Sequence, residues 1–261
     1  MTNTISSSTS VLAKAALAVA LVGGVWAQPV SASPVARVAD ATHAALQPSG
    51  GGTNLSGNPF FPLVLNSKWT YDYSTSATSF TSSQTVAGSS SSSGGTQVKI
   101  DTSDSLFPGK VTSLTYTIGK GGTVEVESSS GSGSSATSFS SKYWIPTESQ
   151  IESCSACKFS GPFSASFSGK SMTGTLTETA TALGSHTVTV PAGTFSTDEV
   201  KLTVAMHATG EMPMAMNLTF DLYLAKNVGM VENSNGTMAM SILGHSVNTG
   251  MGTDKLASDK I

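Results

Sequence analysis

The feature that most constrains this chain is an apolar alternation with a period of two. It is clearest at Met212, Met214, Met216, Leu218, Phe220, Leu222 and Leu224, which share one parity over a dozen residues. Val200, Leu202, Val204 and Met206 repeat it against Lys201, Thr203 and His207. So do Met172, Leu176 and Ala180 against Thr173, Thr175, Thr177 and Thr179, and Val124 and Val126 against Glu125 and Glu127. Val188 and Val190, and Met238, Met240 and Ile242, follow the same rule. Side chains that switch faces at each residue belong to strands with one buried and one wetted side. Outside the N-terminal region no segment carries the i, i+3, i+4, i+7 spacing of an amphipathic helix. The expected fold is all-β: about ten strands in a long antiparallel meander, forming a strongly curved sheet or partly closed barrel. Strands of this length exceed those of a compact sandwich. The apolar face then needs a cover: the sheet's own curvature, a plug or a ligand.

Composition fits that reading. Charged residues make up 11% of the 261 residues, net charge is −3, and 26 residues are Gly. Thr, Val and Tyr suit a pleated, half-buried surface, and the low charge reflects the lack of helical faces rich in Glu and Lys. Nothing here gives the basic footprint of a nucleic-acid binder.

Residues 1–32 read as an export signal. Lys14 precedes an apolar run from Ala15 to Val25, followed by the small-residue sites Val25-Trp26-Ala27 and Val30-Ser31-Ala32. The run is too short to span a bilayer, and no later run is long enough to do so. Residues 33–58 read as a flexible linker containing Pro48-Ser49-Gly50-Gly51-Gly52, with a soft helical pattern at residues 35–46 that could fold back as a plug. The β-rich domain is expected at 59–248, with mobile hairpin loops at Gly88–Gly95 and Ser128–Ser135, and a flexible tail at 249–261. The expected location is secreted or periplasmic, in the cell envelope.

Three segments carry a resemblance: Phe60-Phe61-Pro62-Leu63 with Asn66-Ser67-Lys68-Trp69-Thr70-Tyr71; Val190-Pro191-Ala192-Gly193-Thr194-Phe195; and Tyr223-Leu224-Ala225-Lys226-Asn227-Val228-Gly229-Met230-Val231. In this order the chain resembles the TapB-like domains, a family of exported bacterial β-rich proteins of unknown function. Asn66 stands where that pattern commonly has Gly, and Asn227 precedes the Val-Gly pair. The resemblance implies a curved antiparallel sheet, similar in shape to periplasmic lipid-handling folds, and no catalytic residues. Physically, Pro191-Ala192-Gly193 reads as a tight turn, and Trp69, Tyr71 and Tyr73 as one anchoring strand face.

Chemistry-bearing motifs are sparse. Cys154-Ser155-Ala156-Cys157 lacks the surrounding βαβ pattern of a thioredoxin-type site, and two cysteines cannot close a zinc site. In an exported chain the pair reads as a structural disulfide. The late methionines with His207 and His245 form a soft-ligand set that would suit Cu(I). Most lie on the apolar parity, however, with His207 opposite Met206, so core packing is the better reading and no metal is expected. No Gly-x-Ser-x-Gly or His-Glu-x-x-His motif is present.

The expected function is that of a non-enzymatic envelope protein with no cofactor. It would hold an apolar or amphiphilic ligand, a lipid among them, or an envelope protein partner, on a concave face lined by Trp69, Tyr71, Met214, Met216, Phe220, Leu222, Met238 and Met240. The alternatives are a structural or adhesive module with a closed core, and a secreted hydrolase.

Overall fold

The computed structural model describes residues 52–76, 79–109, 111–119, 123–130, 137–167, 170–211 and 213–260. The expected signal, the helical pattern at 35–46 and most of the expected linker lie outside them. In chain order the strands are β1 (Lys68–Ser74), β2 (Ser79–Ser92), β3 (Gly95–Asp104), β4 (Thr112–Ile118), β5 (Thr123–Ser130) and β6 (Thr137–Trp144). A short helix α1 (Glu148–Ser153) follows. Then come β7 (Cys157–Phe167), β8 (Lys170–Val190), β9 (Gly193–Gly210), β10 (Met214–Ala225), β11 (Gly229–Ile242), β12 (His245–Gly250) and β13 (Thr253–Lys260). All thirteen join one antiparallel sheet, a nearly all-β fold as the alternation requires.

From β1 to β11 each strand pairs with the next in sequence, and β13 then pairs along the whole of β1. The sheet therefore curls back towards itself. It meets itself at β11 and β13 through only two residue pairs, Glu232 with Lys255 and Asn233 with Asp254. The result is a strongly curved, partly closed sheet with a weak seam.

The interior is built from the alternating positions. One row runs Leu176, Met206, Met216, Met240 across β8 to β11; a second runs Ala180, Leu202, Phe220. Each Leu, Met or Phe side chain of these rows, fully buried, contributes about 1.5–3 kcal/mol. The opposite face carries Lys201, Thr203, His207, Asn217 and Thr219. An apolar inside and a polar outside invert the pattern of a membrane-spanning barrel. Among the described residues, no helix is long and apolar enough to cross a membrane.

Beyond the end of β10, the β8–β9 hairpin continues as a strap. A bulge between Ala182 and Gly184 pairs Gly184 with Glu199, so the strap turns Phe195, Val190 and Thr197 inward. At its tip the Ala192 N–H donates to the Leu256 carbonyl of β13 at 3.0 Å. The predicted Pro191-Ala192-Gly193 turn thus also reaches the strand next to the seam.

Three expectations about order are corrected. The expected flexible tail contains β13: Asp254 and Leu256, with Gly252 just ahead of the strand, are buried, while Thr253, Lys255 and Ala257 alternate with them; Leu256 is fully buried. Within the expected linker, residues 54–58 are organised around Asn54. Its Oδ1 accepts from the N–H groups of Ser56 and Leu63, at 3.1 and 3.0 Å. The Gly88–Gly95 tract is mostly paired strand: Gly88–Ser92 face Gly95–Lys99, leaving a short turn. Of the second Ser/Gly tract, Ser128–Ser130 belong to β5 and the remainder lies outside the described residues.

Candidate ligand cleft

Segment 59–63 crosses the interior beside β1. Asn58 fixes its start, accepting from the Phe60 N–H at 3.0 Å and donating from Nδ2 to the Pro146 carbonyl at 2.8 Å. The Asn227 N–H donates to the Pro59 carbonyl at 2.7 Å, tying the segment to the β10–β11 turn. Phe60 and Leu63 are buried as a result. Gly229 has φ +96°, and a Cβ there would stand 3.4 Å from Pro62 Cδ, so glycine gives both the turn and the close approach. Asn66 and Asn227, at φ 67° and 62°, adopt the left-handed backbone that Asn tolerates better than most residues. At both positions Asn does the conformational work of a glycine.

Between this segment and the sheet lies a cleft lined by Phe61, Pro62, Leu63, Trp69, Tyr71, Gln84, Ile100, Gly229 and Met230. Its volume is about 40 Å³, space for roughly two or three waters or one small group. Trp69 Nε1–H donates to the Val228 carbonyl at 2.8 Å, which holds the indole plane. Burial pushes the Tyr71 phenol upward, and the carboxyls of Asp254 and Asp259 add to that direction. The hydroxyl therefore stays neutral across the physiological range.

Of the eight residues expected to line a concave binding face, Trp69 and Tyr71 line this cleft. The other six do not. Met216, Phe220 and Leu222 are 1%, 1% and 2% exposed; Met214 and Met240 are buried with them, and Met238 is half-buried against the same cluster. That face is filled by its own side chains and by β8 and β9. The cleft residues missing from the expectation fall into two groups. Phe61, Pro62, Leu63, Gly229 and Met230 stand in recognisable segments that read as folding determinants. Gln84 and Ile100 carry no sequence signal; register alone brings them there, with Gln84 opposite Trp69.

Below the cleft lies a buried polar group of side chains. Asn233 Nδ2–H donates to Asp254 Oδ2 at 3.4 Å, and the Gly252 N–H donates to the Tyr73 hydroxyl at 3.0 Å. Burial pushes Asp254 up to about 7 against the pull of Asn233, with nearby Asp104 adding to the rise. Asp104 is itself raised by burial, opposed by the Ser82 hydroxyl.

A second constellation sits at the base of the strap. His186 Nε2 lies 2.7 Å from Glu199 Oε2, and the His186 and Tyr223 rings meet edge to face at 6.0 Å. Ser185, on the other face of β8, donates to Asp198 at 2.7 Å. The arrangement pairs a histidine with a carboxylate but points the neighbouring serine away, and it reads as a fastening for the strap.

Cys154 and Cys157 are joined as a disulfide. Cys154 caps the C-terminal end of α1, donating its N–H to the Gln150 carbonyl at 3.0 Å. A helix C-terminus disfavours a thiolate, the reverse of a redox-active placement. Among the described residues, no group of three or more His, Cys, Asp or Glu is placed to hold a metal ion.

No family model matches the chain, so the likeness to TapB-like domains rests on the three motif segments alone. No curated protein matches it either. Among solved structures, a candidate lipoprotein from Parabacteroides distasonis is similar at 14% identity and TM-score 0.46, over 78% of this chain and 99% of that one. A candidate exported protein with a YmcC-like fold from Bacteroides fragilis is similar at 13% identity and TM-score 0.47, over 78% of this chain and all of that one.

Proposed function

We propose that this chain is an exported, non-enzymatic binding module of the cell envelope, and that its ligand seat is the cleft between Phe61–Leu63 and Trp69–Tyr71. The observation that carries the reading is the cleft itself: an apolar box with few polar groups, the usual character of a small-molecule site. Export is supported by the N-terminal signal pattern and by a disulfide that suits an oxidising compartment. The ligand, or the part of it that enters, is small, and the methionine-lined wall takes no part in holding it. A second reading, a structural or adhesive module with a closed core, draws on how completely that wall is filled.

Native mass spectrometry of protein exported from the full-length chain separates the two. A binding module carries an added mass that Trp69→Ala removes while the protein stays folded by circular dichroism. A clean mass, together with no change in Trp69 fluorescence against a library of small apolar amides, esters and alcohols in a Trp144→Phe background, supports the closed module.

A further inference from the structure

The curled sheet closes on itself at one thin place, and a buried carboxyl forms part of it. β13 pairs with β1 from Lys68–Lys260 to Ser74–Thr253, but with β11 only at Glu232–Lys255 and Asn233–Asp254. Just ahead of these pairs the sheet is broken. β12 ends at Gly250, still on β11, while β13 starts at Thr253, on β1. Asp254 is thus one of the two β13 residues that make the seam, and it is 3% exposed.

Each element packed around Asp254 brings its own group. From β11, Asn233 Nδ2–H donates to it at 3.4 Å. From β1, Tyr73 stands opposite, its hydroxyl already taking the Gly252 N–H. From β3, Asp104 acts on it through space, and Ser82 of β2 pairs opposite Asp104. On β13 itself, Asp259 is a further carboxyl along the strand. The Lys255 ammonium is engaged on the other face, 3.5 Å from Glu232, with Asp72 as its β1 neighbour. Among the groups that act on Asp254 there is no cation.

Ionisation of Asp254 therefore strains this side of the interior. The carboxylate keeps Asn233, but it has lost its water and gains repulsion from Asp104. Water reaches it most easily through the thinnest wall. Parting β13 from β1 would break a full ladder, whereas parting it from β11 breaks two residue pairs. The cleft straddles that line, with Trp69 and Tyr71 on β1 and Gly229 and Met230 on β11.

We propose that the β11–β13 seam is a pH-operated gate beside the cleft, closed while Asp254 carries its proton and parted when Asp254 ionises beside Asp104. The Trp69–Val228 and Ala192–Leu256 hydrogen bonds lie towards the Lys260 end and stay made, so β1 and β13 swing together about that end. The gate does not depend on the cleft being a ligand seat.

Hydrogen exchange of the folded, exported protein tests it, read residue by residue by NMR and corrected for the intrinsic pH dependence of amide exchange. The informative amides are those of residues 232, 233, 254 and 255 that bond across the seam. Their protection should fall at least about tenfold between about pH 5 and about pH 8.5, while the amides of residues 200–206 keep theirs. Asp254→Asn should hold the seam protected over the whole range. Asp104→Asn, which removes the repulsion and leaves Asp254 in place, should make the fall smaller. Seam protection that does not change with pH overturns the proposal. So does a fall of equal size at residues 200–206, which would mean that the whole sheet loosens. A fall as steep in Asp254→Asn as in the natural chain also overturns it; should that variant not fold, an undiminished fall in Asp104→Asn does so.

Discussion

The two sides of the interior solve the same problem differently. Across β8 to β11 the wall is Leu, Met, Val and Phe in registered rows, with Glu178 buried among them, and it is filled. Beside β1 the interior holds Tyr71, Tyr73, Ser82, Asn233 and Asp254, with a cleft above them. Methionine is abundant in the first region, yet the cleft is in the second. Flexible apolar side chains fill gaps among themselves, whereas aromatic rings and fixed polar groups leave spaces they cannot close.

The same residue type tests the contrast. Met216→Ala, in the packed wall, should lower stability by about 3 kcal/mol, read from urea denaturation, because the cavity cannot collapse. A loss below about 1 kcal/mol would mean the wall is loosely packed.

Asp254→Asn probes the polar side and should act in the opposite direction. In the folded state its carboxyl is pushed up to about 7, from an ordinary value of 3.8. Its contribution to stability is therefore full below pH 3.8. It is lost progressively as pH rises towards 7, where the unfolded chain ionises and the folded one resists. Asparagine keeps an acceptor for Asn233 and cannot ionise. At pH 8 the variant should be more stable by on the order of 2–4 kcal/mol, and the decline between pH 4 and 7 should flatten. An unchanged pH profile in thermal melts would place the titration elsewhere.

Met230→Ala, at the cleft, gives the smallest effect. Met230 is half-buried and already borders open space, so the expected cost is below about 1 kcal/mol. A loss matching that of Met216→Ala would mean the cleft is as tightly packed as the wall.

Much of the fold was legible because alternation is a local signal. Val200 to Met206 and Met214 to Leu224 name their own strands and their own buried faces. The last strand was hidden by composition. Asp254 and Lys255 look like a solvated tail, and only the register with β1 and β11 turns Gly252, Asp254 and Leu256 inward. The candidate site was half legible for a related reason. Alternation identifies an apolar face but not whether another strand already covers it, so Met216 and Trp69 read alike in sequence. What separates them is segment 59–63, whose path depends on Asn54, Asn58 and Asn227, polar residues with no apolar pattern to betray them.

The pairing of β13 with β1 sets an order of events. A chain delivered N-terminus first exposes the edge of β1 long before its partner arrives. Successive hairpins from β1 to β11 zip as they emerge, since each needs only its predecessor. Closure across the Lys68–Ser74 edge waits for residues 253–260. Until then that edge is an open template for strands of other chains.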